Sequence, residues 1–449
     1  MKNHYYNVAI IGGGISGAAL FYELARYTDI DRVAIFEKYS KIAPLNSNAR
    51  HNSQTLHMGD IETNYTFEKA KKVKETAKML LNYALNSGFE DRYIFKYPKM
   101  VIGVANEVEL IEKRYEKFRE LYPYLKLFKR EELKKIEPSL VEGRKENIVA
   151  MGALDQYCAV NFGEIAKSMI DKALTLKKGF SLYLNSEVYS IEQKGNKYML
   201  NTPGGYFFAD FVVVNAGAYS LLLAHEMGFA KELSCLPIGG SYYYAPSSLL
   251  NSKVYTVQNE KLPFAAIHGD PDISERGKTR FGPTALALPK LERYKESTYI
   301  DFLHSFNPDS KVIGVFYDLL KDHDIREYIF KNMMYEVPGI RKSLFLKEVR
   351  KIVPKITEED LEFAKNVGGL RPQIIDKAKK KLLLGEAKIE PMKGLIFNMT
   401  PSPGATSCMG NAFKDMVSIA DYLSSRIDMG LLEEELLKDP LHTLDLKTV

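Results

Sequence analysis

The chain has 449 residues, of which 45% are apolar, so it is long enough to form two domains around a large core. Its 62 basic and 57 acidic residues give a net charge of +5, a balance that argues against a nucleic-acid-binding protein and is compatible with an anionic small substrate or membrane surface. The three cysteines have no CxxC spacing, so we expect neither disulfides nor a metal site, and a reducing cytoplasm fits.

The first predicted elements form a βαβ unit with the glycine spacing of a dinucleotide-binding site. An apolar strand runs from Tyr5 into Gly12-x-Gly14-x-x-Gly17 and a helix, and Glu37 follows at the end of a second apolar run. Gly12 permits the tight turn, Gly14 lets the backbone approach a pyrophosphate, and Gly17 lets the helix pack closely on the strand. The free N–H groups at the helix N-terminus attract the pyrophosphate, and Glu37 can accept hydrogen bonds from the ribose. We therefore predict a bound dinucleotide.

The next elements are predicted from periodicity. A polar loop over 41–57 is expected to line the cofactor, because loops close behind such a motif often do so. Apolar residues at helical spacing predict helices over 67–86 and 162–176, and short strands alternate with charged helices between residues 93 and 155. Three strand-like runs follow at 187–193, 198–201 and 206–209, the last two joined by a Pro-Gly-Gly turn.

The apolar run 210–217 is typical of a buried parallel strand that returns to the first sheet beside the glycine motif. Residues 235–290 are predicted to be β-structure and 292–363 to be mostly charged helical surface, before strands and loops at 369–373 and 394–406. We therefore predict a mixed α/β fold in which a Rossmann-like domain is interleaved with a mixed β-sheet substrate domain. The predicted ranges are 1–90, 155–230 and 364–425 for the first domain, 91–154 and 231–363 for the second, and 426–449 for a C-terminal helical tail.

Four segments resemble one known family. They are Asn52-Ser-Gln-Thr-Leu-His-Met-Gly-Asp-Ile-Glu-Thr-Asn-Tyr65, Pro263-Phe-Ala-Ala-Ile-His-Gly-Asp-Pro271, Gly277-Lys-Thr-Arg-Phe-Gly-Pro-Thr-Ala285 and Asn398-Met-Thr-Pro-Ser-Pro-Gly-Ala-Thr-Ser407. Together they resemble the malate:quinone oxidoreductases, within the wider group of FAD-dependent 2-hydroxy-acid dehydrogenases and D-amino-acid-oxidase-like flavoproteins. The resemblance runs from about residue 5 to about residue 425.

This resemblance implies a non-covalently bound FAD, oxidation of (S)-malate to oxaloacetate and transfer of the electrons to membrane quinone, a step of the tricarboxylic acid cycle. It also implies a peripheral position on the cytoplasmic face of the inner membrane. The cofactor-binding residues it implies are Gly12, Gly14, Gly17, Glu37, Ser53, Gln54, Ala216, Gly217, Pro403 and Thr406, to which we add their neighbours Ser16, Lys38 and Gly404.

Oxidation of a 2-hydroxy acid requires a base for the hydroxyl proton, and histidine is the usual choice. His268 lies in the middle segment that is expected to hold substrate, and His57 follows the loop on the cofactor side. We predict a catalytic role for both and favour His268 as the base.

A dicarboxylate is best bound by arginine forks. Arg280 and Arg371 both lie in apolar, glycine-flanked sequence, where a surface charge is less expected, so we predict that they bind the substrate. Arg50 is a weaker candidate that is also placed to contact FAD phosphates. The turn at 401–406 precedes a helix, and its N–H groups are expected to face the flavin. Of the tyrosines at 242–244, which alternate across a strand, at least one is expected to point into the substrate cavity and another into the core.

Two features bear on membranes. No run reaches the ~18 apolar residues of a spanning helix, and no signal peptide is evident. The segment 416–437 is rich in leucine but carries Glu433, Glu434 and Glu435 where a membrane-surface helix usually has lysine or arginine, so ordinary packing is the expected role. The sequence does not locate a quinone site.

Three other functions share part of this pattern. A related flavoprotein that oxidises L-2-hydroxyglutarate or lactate and reduces oxygen would keep the fold, the cofactor and the base. An NAD-dependent dehydrogenase fits the glycine motif but leaves the 401–406 turn without a role. A non-catalytic FAD-binding or RNA-modifying scaffold is argued against by the paired arginines.

Overall fold

The computed structural model of the protein describes residues 4–258, 266–383, 386–401 and 403–438. Within the ranges predicted above, residues 1–3, 259–265, 384–385, 402 and 439–449 lie outside the described residues. The strands are β1 (His4–Ile11), β2 (Val33–Phe36), β3 (Ile94–Val104), β4 (Lys126–Lys129), β5 (Ile148–Val160), β6 (Ser181–Tyr183), β7 (Ser190–Lys194), β8 (Lys197–Thr202), β9 (Gly205–Val214), β10 (Leu233–Gly239), β11 (Tyr243–Ala245), β12 (Lys253–Thr256), β13 (His268–Pro271), β14 (Thr279–Gly282), β15 (Leu286–Ala287), β16 (Glu362–Phe363), β17 (Leu370–Asp376), β18 (Lys381–Leu383), β19 (Ala387–Met392) and β20 (Leu395–Met399).

The described residues also contain twelve α-helices. They are α1 (Ile15–Tyr27), α2 (Phe67–Asn86), α3 (Val108–Phe118), α4 (Arg130–Ile136), α5 (Phe162–Leu176), α6 (Tyr219–Glu226), α7 (Tyr299–Phe306), α8 (Ser310–Lys321), α9 (His323–Met334), α10 (Arg341–Val349), α11 (Cys408–Leu423) and α12 (Met429–Leu432), followed by a π-helical turn at Glu433–Leu437. The helices that we predicted over 67–86 and 162–176 are α2 and α5, so both predictions are confirmed.

The first sheet carries the βαβ unit. Its order is β19-β20-β9-β1-β2-β6, with the β7–β8 hairpin added to β9, and the central strands from β20 to β6 are parallel. Val8 of β1 lies opposite Val33 of β2 and Phe211 of β9, so the strand after residue 210 does return beside the glycine motif. The two runs predicted at 206–209 and 210–217 form the single strand β9.

Helix α1 packs against α5 and α11 and is buried on nearly all sides, in a core that it shares with one face of the first sheet. The C-terminal segment packs on the same core, where Leu432 and Leu436 are buried and Glu435 forms an ion pair with Arg26. The prediction that this segment packs as an ordinary protein element is therefore confirmed. Among the residues described, none of the helices has both the length and the apolar character needed to cross a bilayer.

Two further sheets complete the fold. The second, β15-β10-β17-β18, is antiparallel and places Arg371 of β17 opposite Ile238 of β10. The third, β16-β11-β14-β13-β12-β3-β5-β4, pairs β13 with β14, so that Asp270 lies opposite Arg280.

The three sheets divide unevenly between the two predicted domains. All strands of the first sheet come from the ranges that we predicted for the cofactor domain. The second sheet draws on both predicted domains, and β5 runs through the boundary at 154–155, so the domain division stays a prediction.

Candidate active site

A cavity of about 440 Å³ lies at the carboxyl ends of the parallel strands, where open α/β sheets bind their ligands. Thirteen of the predicted site residues border it: Gly12, Gly14, Ser16, Glu37, Lys38, Ser53, His57, Ala216, Gly217, Arg371, Pro403, Gly404 and Thr406. Four do not, namely Gly17, Gln54, His268 and Arg280. Arg50 does not border the cavity either, and its side chain is exposed.

The glycine turn has no room for side chains at two positions. Gly12 has a φ of +109°, and a Cβ there would lie 2.4 Å from the carbonyl oxygen of Asn215. A Cβ on Gly17 would lie 2.0 Å from the carbonyl oxygen of Gly12, because α1 packs directly on the turn. Gly17 therefore acts in the packing predicted for it and need not touch the cofactor.

The N-terminus of α1 fits an anionic group. Gly14 is its N-cap, no side chain caps it, and its first turn carries no acidic residue. The first helical N–H group, that of Ile15, donates to Ser47 Oγ at 3.0 Å, and Gly14, Ser16 and Ser47 all border the cavity. The partial positive charge at this end of the helix suits a pyrophosphate, as the sequence predicts.

Glu37 lies at the end of β2 on the wall of the cavity. Its two carboxylate oxygens accept N–H groups from Gly13 and Tyr39, each at 2.9 Å. Burial raises the pKa of Glu37 despite these bonds. Each oxygen keeps a further lone pair, so the side chain can still accept a ribose hydroxyl. The neighbouring Lys38 forms an ion pair with Glu292, which links the end of β2 to the segment before α7.

Gln54 is fully buried and has a φ of +52°. Its amide nitrogen donates to Asp272 Oδ1 at 3.0 Å and to the Ala49 carbonyl at 3.1 Å, and its oxygen accepts the N–H of Ile273 at 3.0 Å. The side chain thus joins the cofactor-side loop to the segment after β13. A contact between Gln54 and the cofactor stays a prediction, and the geometry favours a structural role.

The turns after β9 and β20 bring two more predicted segments to the cavity. Ala216 donates its N–H to Ser220 Oγ at 3.0 Å, and Gly217 follows it at the rim. After β20, Gly404 donates its N–H to the Pro401 carbonyl at 2.8 Å, and α11 begins four residues later. Both turns present backbone to the cavity at a helix start.

His57 combines access to the cavity with a carboxylate partner. Its ring Nδ1 lies 2.7 Å from Glu62 Oε1, and its ring Nε2 lies 3.4 Å from Ser53 Oγ. The backbone N–H of His57 donates to Thr406 Oγ1 at 3.2 Å. Burial opposes ionisation of Glu62, but the hydrogen bond and electrostatic attraction of His57, with the charge of Lys99, hold the pKa of Glu62 well below its usual value. Glu62 is therefore a carboxylate that can accept a hydrogen bond from Nδ1–H of His57, and in that tautomer of the neutral imidazole the lone pair lies on Nε2.

His268 lies behind the cavity wall. It is 1% exposed, its Nδ1 is 2.8 Å from Asp270 Oδ1, and its ring stacks on Tyr255 with 4.6 Å between centroids. Burial lowers the pKa of His268, although Asp270 acts in the opposite direction. That His268 is the base stays a prediction, but it is His57 that borders the cavity.

Arg280 is an ion-paired cation in the same buried cluster. Its guanidinium nitrogens lie 3.7 Å from Asp270 Oδ2 and 3.4 Å from Asp272 Oδ2. Burial alone would lower the pKa of Arg280, but these carboxylates raise it above its usual value. The guanidinium carbon lies 4.4 Å from the ring centroid of Tyr242, which borders the cavity. The structure thus puts Arg280 behind Tyr242, so direct substrate contact stays a prediction.

The tyrosines at 242–244 divide between the cavity and the core. Tyr242 borders the cavity, whereas Tyr243 stacks on Phe345 in the core, and Tyr244 donates to Asp272 Oδ2 at 3.1 Å. The expected division between cavity and core is confirmed.

Arg371 borders the cavity and has no ion-pair partner in the part of the chain that the structure describes. Burial raises the pKa of Tyr65, Tyr242 and Tyr328, and the charge of Arg371 acts against that rise in all three. The guanidinium thus acts electrostatically on three tyrosines and has no ion-paired carboxylate among the described residues, which suits it to bind an anion.

Sequence reasoning missed Glu62 and Ser47. Glu62 stands five residues after His57 inside the first segment that carries the family resemblance, so a histidine followed closely by a carboxylate was an available signal. Ser47 lies in the polar loop expected to line the cofactor, but only the fold shows that its hydroxyl meets the start of α1.

Two curated relatives match nearly the whole chain. The probable malate:quinone oxidoreductase of Campylobacter jejuni is 48% identical over 448 residues, covering 97% of this chain and all of that one. The malate:quinone oxidoreductase of Helicobacter pylori strain 26695 is 46% identical over 446 residues, covering 97% and 99%.

Solved structures match over most of the chain. Glycine oxidase from Geobacillus kaustophilus has a TM-score of 0.62 at 21% identity and covers 93% of this chain and 95% of its own. L-α-glycerophosphate oxidase from Mycoplasma pneumoniae, solved with FAD bound, has a TM-score of 0.63 at 19% identity, covering 94% and 96%. These likenesses confirm the predicted fold class. The family model for malate:quinone oxidoreductase (Mqo) matches residues 4–419, and this chain belongs to that family.

Proposed function

We propose that this protein oxidises (S)-malate to oxaloacetate with FAD as its cofactor and passes the electrons to a membrane quinone. The observation that carries the proposal is the cavity itself. In this member of the malate:quinone oxidoreductase family, the cavity brings together the glycine turn, His57 and Arg371, which has no ion-pair partner among the described residues. We also propose that the protein works on the cytoplasmic face of the inner membrane as a peripheral protein.

The residues of the cavity fit FAD. The N-terminus of α1, with Gly14 and Ser16, would hold the pyrophosphate, and Glu37 would accept hydrogen bonds from the ribose. The turns at Ala216 and Gly404 present backbone to the remaining wall of the cavity. When bound, FAD would supply the hydride acceptor for the C2 hydrogen and the source of electrons for quinone.

His57 acts as the base in this proposal. Its Nε2 takes the proton of the C2 hydroxyl as the C2–H bond breaks, and the carboxylate of Glu62 stabilises the imidazolium that results. Because Glu62 accepts the hydrogen bond from Nδ1–H, the neutral imidazole is held in the tautomer whose Nε2 lone pair can take the proton.

Arg371 binds a substrate carboxylate with its fork of N–H donors. This contact fixes C2 relative to the flavin and His57, and such positioning supplies much of the rate of a hydride transfer. Tyr242 also borders the cavity. The side chains of Arg280 and His268 contact the ring of Tyr242 and so support its position.

Anaerobic stopped-flow reduction of the purified protein tests the proposal. The flavin absorbance should bleach rapidly with (S)-malate, more slowly with (S)-lactate and (S)-2-hydroxyglutarate, and should recover when a short-chain quinone analogue is added. Faster bleaching by another hydroxy acid would identify that acid, and not malate, as the substrate. No bleaching by any of them would overturn the proposal.

A further inference from the structure

Exposed apolar side chains concentrate in one stretch of the chain, which includes the neighbouring helices α8 and α9. Ten of the eighteen large apolar side chains that are exposed in the described residues lie between Tyr294 and Ile340. Scattered apolar residues are normal on a protein surface, but a concentration of this kind marks a contact surface. Seven of the ten form what we call the α8–α9 face: Ile313, Tyr317, Leu320, Phe330, Met333, Val337 and Ile340.

The face has the geometry of an amphipathic helix pair. On α8, Ile313 (67% exposed), Tyr317 (62%) and Leu320 (43%) are spaced four and three residues apart and therefore share one side of the helix. The opposite side of α8 packs inwards through Val312 and Val315, which are buried. The exposed apolar side of α8 is therefore separate from the buried side that packs against the protein core.

Helix α9 repeats the arrangement. Phe330 is 63% exposed, and Met333 lies three residues further along the same side. Arg326, four residues before Phe330, also shares this side, and its guanidinium donates to the Leu320 carbonyl at 3.0 Å without a carboxylate partner among the residues described. On α8 the ammonium of Lys321 lies 4.3 Å from the ring centroid of Tyr317. Cations at the edge of an apolar face meet phosphate headgroups while the apolar groups enter the lipid.

The inner side of α9 lies against the wall of the catalytic cavity. The N–H of Ala285 donates to Asn332 Oδ1 at 2.7 Å, and Thr284 Oγ1 donates to Glu336 Oε1 at 2.9 Å. The residue before Thr284, Pro283, borders the cavity. A surface in contact with lipid on the outer side of α9 would therefore bring the cavity close to a lipid-soluble electron acceptor.

We propose that the α8–α9 face docks the protein onto the lipid bilayer. The proposal rests on the proposed function in one respect, because a quinone acceptor requires approach to the lipid phase. A second copy of the chain would also bury the face, but it would cover the part of the surface behind which the cavity lies. Residues 310–342 contain six basic and five acidic side chains, so apolar insertion dominates the binding and high salt should weaken it little.

Flotation of the full-length, flavin-loaded protein with vesicles of phosphatidylethanolamine and phosphatidylglycerol tests the proposal. The double variant Ile313→Gln/Phe330→Gln removes two exposed side chains from the face. The double variant Leu110→Gln/Leu176→Gln is the matched control, since it also removes two exposed apolar side chains (45% and 44% exposed), which lie on α3 and α5. The face variant should lose vesicle affinity by about tenfold or more, and the control should bind like the original protein.

Two activity readouts, together with vesicle binding and the oligomeric state, separate the outcomes. Malate-dependent reduction of a water-soluble dye should be the same in the original protein and both variants, whereas reduction of quinone embedded in vesicles should fall only in the face variant. Equal vesicle binding by all three proteins, or none by any, would overturn the docking proposal. A dimer that the face variant alone converts to monomer, with vesicle binding unchanged, would assign the face to self-association and overturn it as well. Failure of the dye assay in the original protein would instead count against the proposed function.

Discussion

Replacement of Glu62 by glutamine tests how the cavity controls its base. The carboxylate accepts a hydrogen bond from His57 Nδ1–H at 2.7 Å, which favours the tautomer with its lone pair on Nε2, whereas the amide of glutamine can donate to Nδ1 and favour the other tautomer. A hydrogen bond to a charged group contributes roughly 1.5–3 kcal/mol, so the rate of flavin reduction at saturating malate should fall roughly 10- to 150-fold.

The assay is anaerobic stopped-flow with Glu62→Gln and, as a matched control, with Glu120→Gln, a change of the same kind at an exposed position. Glu62→Gln should retain its flavin and its malate affinity, because the change acts through His57 and does not touch the bound carboxylates of the substrate. Glu62→Asp should recover part of the rate. A rate for Glu62→Gln within about twofold of the original protein would refute the assignment of Glu62 and, with it, of His57 as the base.

The other predictions concern substrate binding, the glycine turn and acid stability. Arg371→Lys should raise the KM for malate by roughly tenfold or more in steady-state assays, because an ammonium cannot reproduce the bidentate fork; an unchanged KM would exclude the contact. Gly12→Ala should yield protein without bound flavin in its absorbance spectrum, because the new Cβ would lie 2.4 Å from the Asn215 carbonyl oxygen; normal flavin content would contradict this. Burial opposes ionisation of Asp270 and Asp272, yet nearby cations hold both pKa values below the ordinary aspartate value. These groups stabilise the fold above about pH 4, and urea unfolding should show that contribution lost as the pH falls further; constant stability down to about pH 3 would contradict the network.

Local pattern was enough to predict the cofactor side of the molecule. The spacing of Gly12, Gly14 and Gly17 between two apolar runs fixes a strand, a turn and a helix within one continuous segment, and the structure has these elements. Helices α2 and α5 were predicted from apolar periodicity, and each has a local start signal, since Thr66 and Asn161 accept N–H groups of the first turn.

The substrate side depends on contacts between distant segments, which periodicity does not encode. His268 and Arg280 lie in small, apolar sequence like that of site residues, yet the pairing of β13 with β14 encloses both with Asp270 behind the cavity wall. His57 is equally ambiguous in sequence, and only the position of Glu62 and the path of the loop to Thr406 bring it to the cavity. The same limit applies to strand breaks. The runs at 206–209 and 210–217 were predicted separately, but β9 is a single strand that pairs with β1, β20 and β8.

The central claim is that His57 and Arg371 act on one substrate in one cavity. A crystal structure of the flavin-loaded protein with bound oxaloacetate tests it most directly. The C2 oxygen should lie within hydrogen-bond reach of His57 Nε2, about 3 Å, with a carboxylate held by the Arg371 guanidinium. Oxaloacetate bound instead against His268 and Arg280, with His57 turned away from it, would contradict the roles of His57 and Arg371.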